Sequence, residues 1–176
     1  KNTIIKDGFE KLGWESHPLR RAVVGCEGAA DCFTACPTGA KQTISANILP
    51  KASDFGADIY PHCRVESILV KNGKATGVRA DIIDPVTRET TGTLLVNAKT
   101  VVCSAGVFGS PLLLRRSGVK AHGWVGRNLC SHIGVAVTGL FEEEVNGWVG
   151  ATQGWASNAL YYRGLVMESL WAPPAM

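Results

Sequence analysis

Apolar and polar positions change period along the chain, and each change marks an element. In residues 1–15, Ile4, Ile5, Phe9 and Leu12 recur at helical spacing and Gly13 follows as a stop. That pattern predicts an amphipathic helix. Residues 16–25 carry no such period and read as a loop leading into a cysteine-rich segment. The helical period returns over residues 43–55. Thr43 is placed to cap this second helix, with Ile44, Ile48 and Leu49 facing inward. Pro50 would kink it or end it early.

A period of two then takes over. Residues 57–65 read as extended, with Pro61 limiting their pairing. Residues 66–70, 75–83 and 93–96 read as three strands. Asn72-Gly73 supplies a hairpin turn between the first two, and residues 84–92 a longer turn before the third. The expected result is an antiparallel meander over about 66–97. Lys99 to Ser104 is an apolar, β-branched run that predicts a buried parallel strand. It leads through Ala105-Gly106 to a helix, with Ser110 as cap, Pro111 in the first turn and Gly118 at the end. Strand, small-residue turn and helix N-terminus together bring backbone close to a phosphate-bearing cofactor. Farther on, Gly134 to Phe141 reads as a strand, and Glu142-Glu143-Glu144 as a solvated edge.

Composition narrows the function classes. The chain has 176 residues, 45% hydrophobic and 19% charged, which suits one globular domain and excludes general disorder. The net charge of +3 is scattered, with no block of five or more like charges, so no nucleic-acid footprint is expected. No apolar run approaches the roughly 18 residues a membrane helix requires. No secretory leader is visible, and both ends read as cuts rather than natural termini.

The six cysteines divide into a cluster and three isolated residues. Cys63, Cys103 and Cys130 read as small buried hydrophobes. Cys26, Cys32 and Cys36 fall within the loop 25–39, among small residues that let backbone fold around a compact inorganic core. Pro37 follows the last of them, as in bacterial ferredoxin loops. Three thiolates suit a three-iron cluster, or a four-iron cluster with one non-protein ligand. Zinc would want a fourth ligand, for which His17 is available. Structural thiols or a disulfide remain open alternatives.

Several segments together resemble the glucose–methanol–choline (GMC) oxidoreductases, FAD-dependent enzymes that oxidise alcohols and sugars. Gly39-Ala40-Lys41-Gln42-Thr43 with Leu49-Pro50-Lys51-Ala52 is similar to one family segment. Gly77-Val78 is similar to the family's Gly-Val in the meander. Residues 101–106 with Ser110-Pro111, Leu113-Leu114 and Ser117-Gly118 are similar to the second family signature. Val125-Gly126-Arg127-Asn128-Leu129-Cys130-Ser131-His132 resembles another conserved segment, with Ser131 in place of the usual Asp. Val107 and Lys120 also depart from the family pattern.

The resemblance implies an α/β fold: part of an FAD-binding, Rossmann-like domain with the meander over 1–132, and the start of an α+β substrate domain over 133–176. It implies FAD as cofactor, with the Val65 backbone at the adenine and Ala105 and Gly106 at the cofactor. The spacing of Cys26, Cys32 and Cys36 resembles the large subunits of bacterial sugar dehydrogenases, where three cysteines hold a three-iron (3Fe-4S) cluster. The implied reaction is hydride transfer from an alcohol or sugar hydroxyl carbon to flavin, with electrons relayed through the cluster. Implied partners are the remaining parts of the same enzyme and a cytochrome or other electron-acceptor subunit. The location would be periplasmic and membrane-associated, or cytoplasmic. Gly-x-Gly-x-x-Gly is absent, and the family's catalytic His lies beyond the segments matched here, so no catalytic residue is assigned. His132 falls in a structural segment, and His17, His62 and His122 read as surface or loop residues. The expectation is the middle of a flavoenzyme about three times as long. The competing reading is a zinc- or disulfide-stapled structural or interaction module without redox activity.

Overall fold

The computed structural model describes residues 1–171. In chain order the elements are α1 (Asn2–Lys11), β1 (His17–Pro18), α2 (Ile44–Asp54), β2 (Cys63–Lys71), β3 (Lys74–Ile83), β4 (Thr90–Asn97), α3 (Gly106–Arg116), β5 (Trp155–Ser157) and β6 (Met167–Glu168). Two compact units result: Lys1–Ala57 with Val137–Met176, and Asp58–Ala136. No described helix is long and apolar enough to cross a membrane.

The first unit is held by polar groups more than by apolar burial. β1, β5 and β6 form a small antiparallel sheet in the order β1-β5-β6. Ser157 is fully buried; its hydroxyl donates to the Glu15 carbonyl at 2.6 Å and accepts from the Ala159 N–H at 3.2 Å. The Ser169 hydroxyl accepts from the N–H groups of Gly154 and Trp155 and donates to Asn2 Oδ1 at 3.0 Å. Trp155 Nε1 donates to the Ser16 hydroxyl at 2.8 Å. None of these pairings is visible as a period in the sequence.

The helices of this unit end by one shared device. After α1, Gly13 N–H donates to the Glu10 carbonyl and Trp14 N–H to that of Phe9. This is the Schellman arrangement, and the Phe9 and Trp14 rings stack beside it with centroids 6.3 Å apart. Gly56 and Ala57 close α2 in the same way. Thr43 caps α2 as expected, its Oγ1 accepting the Ala46 N–H at 3.2 Å. Pro50 neither ends nor shortens α2, which runs through it to Asp54. Pro50 lacks only the one N–H that would point toward Ala46, and the Thr43 cap and Gly56 closure hold both ends of the helix. Ile44, Ile48 and Leu49 are exposed rather than inward, as are Ile4, Ile5 and Leu12 on α1. Their periodicity made helices, but these particular side chains stay exposed.

The second unit contains the expected meander. β2, β3 and β4 pair antiparallel in sequence order, and β2 starts at Cys63, so Val65 lies within a strand. Asn72 and Gly73 take φ of 50° and 75°, which suits the two-residue turn between β2 and β3. Gly77 lies between Leu69 and Asn97 of the neighbouring strands, and a Cβ there would overlap the Val96 carbonyl oxygen. Only glycine fits this crossing of three strands.

Three expectations in and beyond this unit fail. Lys99 to Ser104 is not a strand, and Val102 is 83% exposed. Gly134 to Phe141 is not one either, and Val135, Val137 and Leu140 stand in the open. A β-branched run becomes a strand only beside a hydrogen-bonding neighbour, and no described strand pairs with either segment. Every named strand pairing is antiparallel, so the parallel, Rossmann-like part of the expected fold is not seen among the described residues. The third failure is the helix start. α3 begins at Gly106 with Ala105 as its cap residue, and Ser110 and Pro111 lie inside it.

Candidate functional site

β2 is an edge strand, and its free side is readable from two hydrogen bonds. The His62 carbonyl accepts the Ile83 N–H at 2.8 Å, so the chain at 62 faces β3. Backbone groups alternate in direction along an antiparallel strand. By that alternation residue 64 also faces β3, while the N–H and carbonyl of Val65 point away from it. At the other end, Ile68 N–H donates to the Ser117 hydroxyl at 2.7 Å and so points away too. Residues 65 and 68 share a direction because the register slips between Val65 and Ser67. The extra residue, Glu66, is a β-bulge. Val65 therefore presents a donor and an acceptor without a hydrogen-bond partner among the described residues at the open edge, and the residue is 36% exposed.

Ser117 anchors this edge to α3. Its hydroxyl accepts from Ile68 and donates to the Leu113 carbonyl at 2.7 Å. Arg116 at the end of α3 lies 3.5 Å from Glu66 on the bulge, and Glu66 also pairs with Arg64. The Arg64 guanidinium, with Arg116 farther off, holds the Glu66 carboxyl below the usual carboxylate range. At the opposite end of α3, Ala105 supplies no side-chain cap, and a Cβ on Gly106 would meet nothing within 4 Å. No side chain caps the first N–H groups of α3. Arg115, Lys120 and Arg127 line one shallow concavity near the C-terminal end of α3.

The three clustered cysteines line one depression together with Glu27, Asp31 and Thr38. All six cysteines are free thiols. Hydrogen bonds from the Gly28 N–H and from Arg21 pull the Cys26 thiol below its ordinary pKa, the Arg21 Nη1 lying 3.7 Å from Cys26 Sγ. The Lys41 N–H, 3.3 Å from Cys36 Sγ, and the Thr38 hydroxyl do the same for Cys36. Lys41 also ties down the loop, its Nζ donating to the Cys32 carbonyl at 2.9 Å. Gly28 meets Gly150 closely enough that a Cβ would stand 3.0 Å from the Gly150 Cα, and Gly150 N–H donates to its carbonyl.

Sequence reasoning named the thiols but missed Arg21, and named Lys41 only within a family segment, not as a partner of the thiols. It also read Ser117 as part of a helix end and not as a clamp on β2. Among the described residues no three His, Cys, Asp or Glu side chains gather as a metal-ligand set. As placed, the thiols share a depression without converging as iron or zinc ligands, and His17 does not complete them. Of the isolated cysteines, Cys63 and Cys103 are half-buried, whereas Cys130 is exposed and so is not the buried hydrophobe expected.

A profile of the family described as GMC oxidoreductase matches residues 1–134. The chain is 39% identical to a GMC-type oxidoreductase of Mycobacterium tuberculosis over 98% of its length and 27% of that protein. It is 38% identical to the 2-methyl-1,2-propanediol dehydrogenase of Mycolicibacterium austroafricanum over 69% of this chain and 24% of the relative. A long-chain-alcohol oxidase of Arabidopsis thaliana is 31% identical over 81% of this chain and 19% of its own length. The chain thus spans about a quarter of the curated relatives it matches first. No solved structure matches it. A profile match over residues 1–134, with such relatives, places the chain in the GMC oxidoreductase family.

Proposed function

We propose that this chain supplies part of the FAD site of a flavin-dependent alcohol oxidoreductase. The observation that carries the reading is the outward-facing backbone of Val65 on the edge of β2. It stands at the position where the family resemblance puts the adenine. An adenine edge offers one donor beside one acceptor, and an unpaired N–H and carbonyl on one residue complement it. The uncapped first turn of α3, at Ala105 and Gly106, would face an oxygen-rich part of the same cofactor.

When bound, FAD supplies a two-electron acceptor for hydride from the carbon bearing the substrate hydroxyl. The chain's own part is to bind and orient. Ser117 fixes the β2 edge relative to α3, and the Glu66 bulge turns Val65 outward. Two relatives are named for alcohols, one a diol and one a long-chain alcohol, which supports an alcohol hydroxyl as substrate. An electron relay through an iron–sulfur cluster on Cys26, Cys32 and Cys36 is supported by their spacing alone. Their side chains do not gather as ligands, so no step is assigned to such a cluster.

The test is the visible spectrum of the intact protein under anaerobic conditions. Flavin bands that bleach on adding a primary or vicinal alcohol are expected. A protein that carries no flavin, and binds none when FAD is added, refutes the reading.

A further inference from the structure

We propose that Glu66 is a positioning residue: it is the link in a chain of five alternating charges that holds the bulge of β2 and so sets the direction in which the Val65 backbone is offered to a cofactor. The chain is formed by Arg79, Asp81, Arg64, Glu66 and Arg116, in that order. The identity of the cofactor rests on the flavin reading; the charge chain does not.

The contacts run without a gap across three elements. On β3, Arg79 Nη2 lies 3.1 Å from Asp81 Oδ1. Arg64 on β2 is the register partner of Asp81, and its Nη2 lies 3.5 Å from Asp81 Oδ2. The Nε of Arg64 pairs with Glu66 Oε1. Arg116, at the end of α3, reaches Glu66 Oε2 at 3.5 Å. Each carboxylate thus has one arginine per oxygen. The Glu66 and Asp81 side chains are only 23% and 15% exposed, against 44% to 60% for the three arginines. The acids sit inside and the cations outside, so neutralising Glu66 leaves Arg64 and Arg116 facing each other across an uncharged group.

Glu66 has no register partner on β3. A bulged residue is left out of the ladder, so its side chain must supply what holds it. Here that side chain ties the bulge to α3 through Arg116 and to β3 through Arg64 and Asp81. Without the bulge, strict alternation would point the backbone groups of residues 65 and 68 in opposite directions. The Ile68 N–H is pinned at the open edge by Ser117. A lost bulge would therefore turn the Val65 N–H and carbonyl toward β3. The charge chain keeps the bulge, and the bulge keeps Val65 facing outward.

The intact protein is freed of flavin and titrated with FAD. Glu66→Gln keeps the shape and removes the charge; FAD affinity should fall at least about threefold, the range expected for losing two partly exposed ion pairs. Arg116→Gln should weaken binding as well. Arg116→Lys should restore it, because Glu66 Oε2 receives a single nitrogen that a lysine can replace. Glu66→Gln with Arg116→Gln should bind FAD no worse than Glu66→Gln alone, since the two act in one chain. In the flavin-free protein, the Ile68 amide should exchange at least about threefold faster in Glu66→Gln, because the Glu66 and Ser117 contacts hold the same junction of β2 and α3. Unchanged FAD affinity in Glu66→Gln overturns the proposal, and so does Arg116→Lys binding no more tightly than Arg116→Gln. A parent protein that binds no FAD removes the flavin reading instead. The charge chain is then judged by the Ile68 amide alone, and an exchange rate in Glu66→Gln equal to the parent's overturns it.

Discussion

Replacing Ser117 by alanine removes one oxygen that serves two elements. The loss at Leu113 is small, because that carbonyl keeps the Ser117 backbone N–H at 3.0 Å. The loss at Ile68 is larger. Its N–H has the Ser117 hydroxyl at 2.7 Å, and Ile68 is only 8% exposed, so water cannot readily replace the partner. A buried donor left unsatisfied costs about 1–3 kcal/mol. Taking the middle of that range, the edge of β2 should open more readily by about 2 kcal/mol, or roughly 25- to 30-fold. Native-state hydrogen exchange of the Ile68 amide reads this locally, without requiring the two units to unfold together. Ser117→Thr keeps the hydroxyl and should restore most of the protection. If Ile68 exchanges within twofold of its original rate in Ser117→Ala, the hydroxyl is not its partner, and the account of the β2 edge fails.

Val65→Pro deletes an N–H that faces away from β3, so the sheet should survive while FAD affinity falls about 2- to 12-fold, one hydrogen bond's worth. Titration of the apoprotein with FAD checks it, and unchanged affinity would remove Val65 from the site. Gly77→Ala should destabilise the meander by at least about 2 kcal/mol, since the new methyl must displace the Val96 backbone. A urea midpoint equal to the parent's would contradict that. Asp84 accepts the N–H groups of Thr87 and Val86, and those bonds lower its pKa. Its folded value lies below its unfolded one, so its contribution is complete above the unfolded value and lost as pH falls through the folded one. Urea midpoints between about pH 2 and 6 should therefore decline less steeply in Asp84→Asn than in the parent.

The meander was legible because each strand has its partner next to it in sequence, and the Asn72-Gly73 turn sets the register. Thr43 and the helix-ending glycines were legible for the same reason: capping is local chemistry. Residues 99–104 and 134–141 carry strand-like composition, but pairing depends on a neighbour that composition does not name. β5 and β6 show the reverse. They are two or three residues long, and their partners lie far off in the chain, so they leave no periodic trace. Helix α3 began earlier than its capping residue suggested, because Gly106 can enter a helix at a φ of 78° and Ser110 was not needed. At the site, the thiols could be named from their spacing, and Val65 from the family resemblance. The direction of the Val65 backbone could not, because it follows from a one-residue bulge at Glu66.

The open edge of β2 is also open to another strand, and that bears on association between copies. Exposed, unpaired backbone invites edge-to-edge association between copies. Around Val65 the chain answers with charge: Arg64 and Glu66 flank it, and Arg116 reaches Glu66 from α3. Any strand docking on this edge would have to bury or displace that charge network. The bulge adds a second deterrent, since a flat incoming strand cannot follow its kink. Neutralising these three side chains should therefore promote edge-to-edge association between copies.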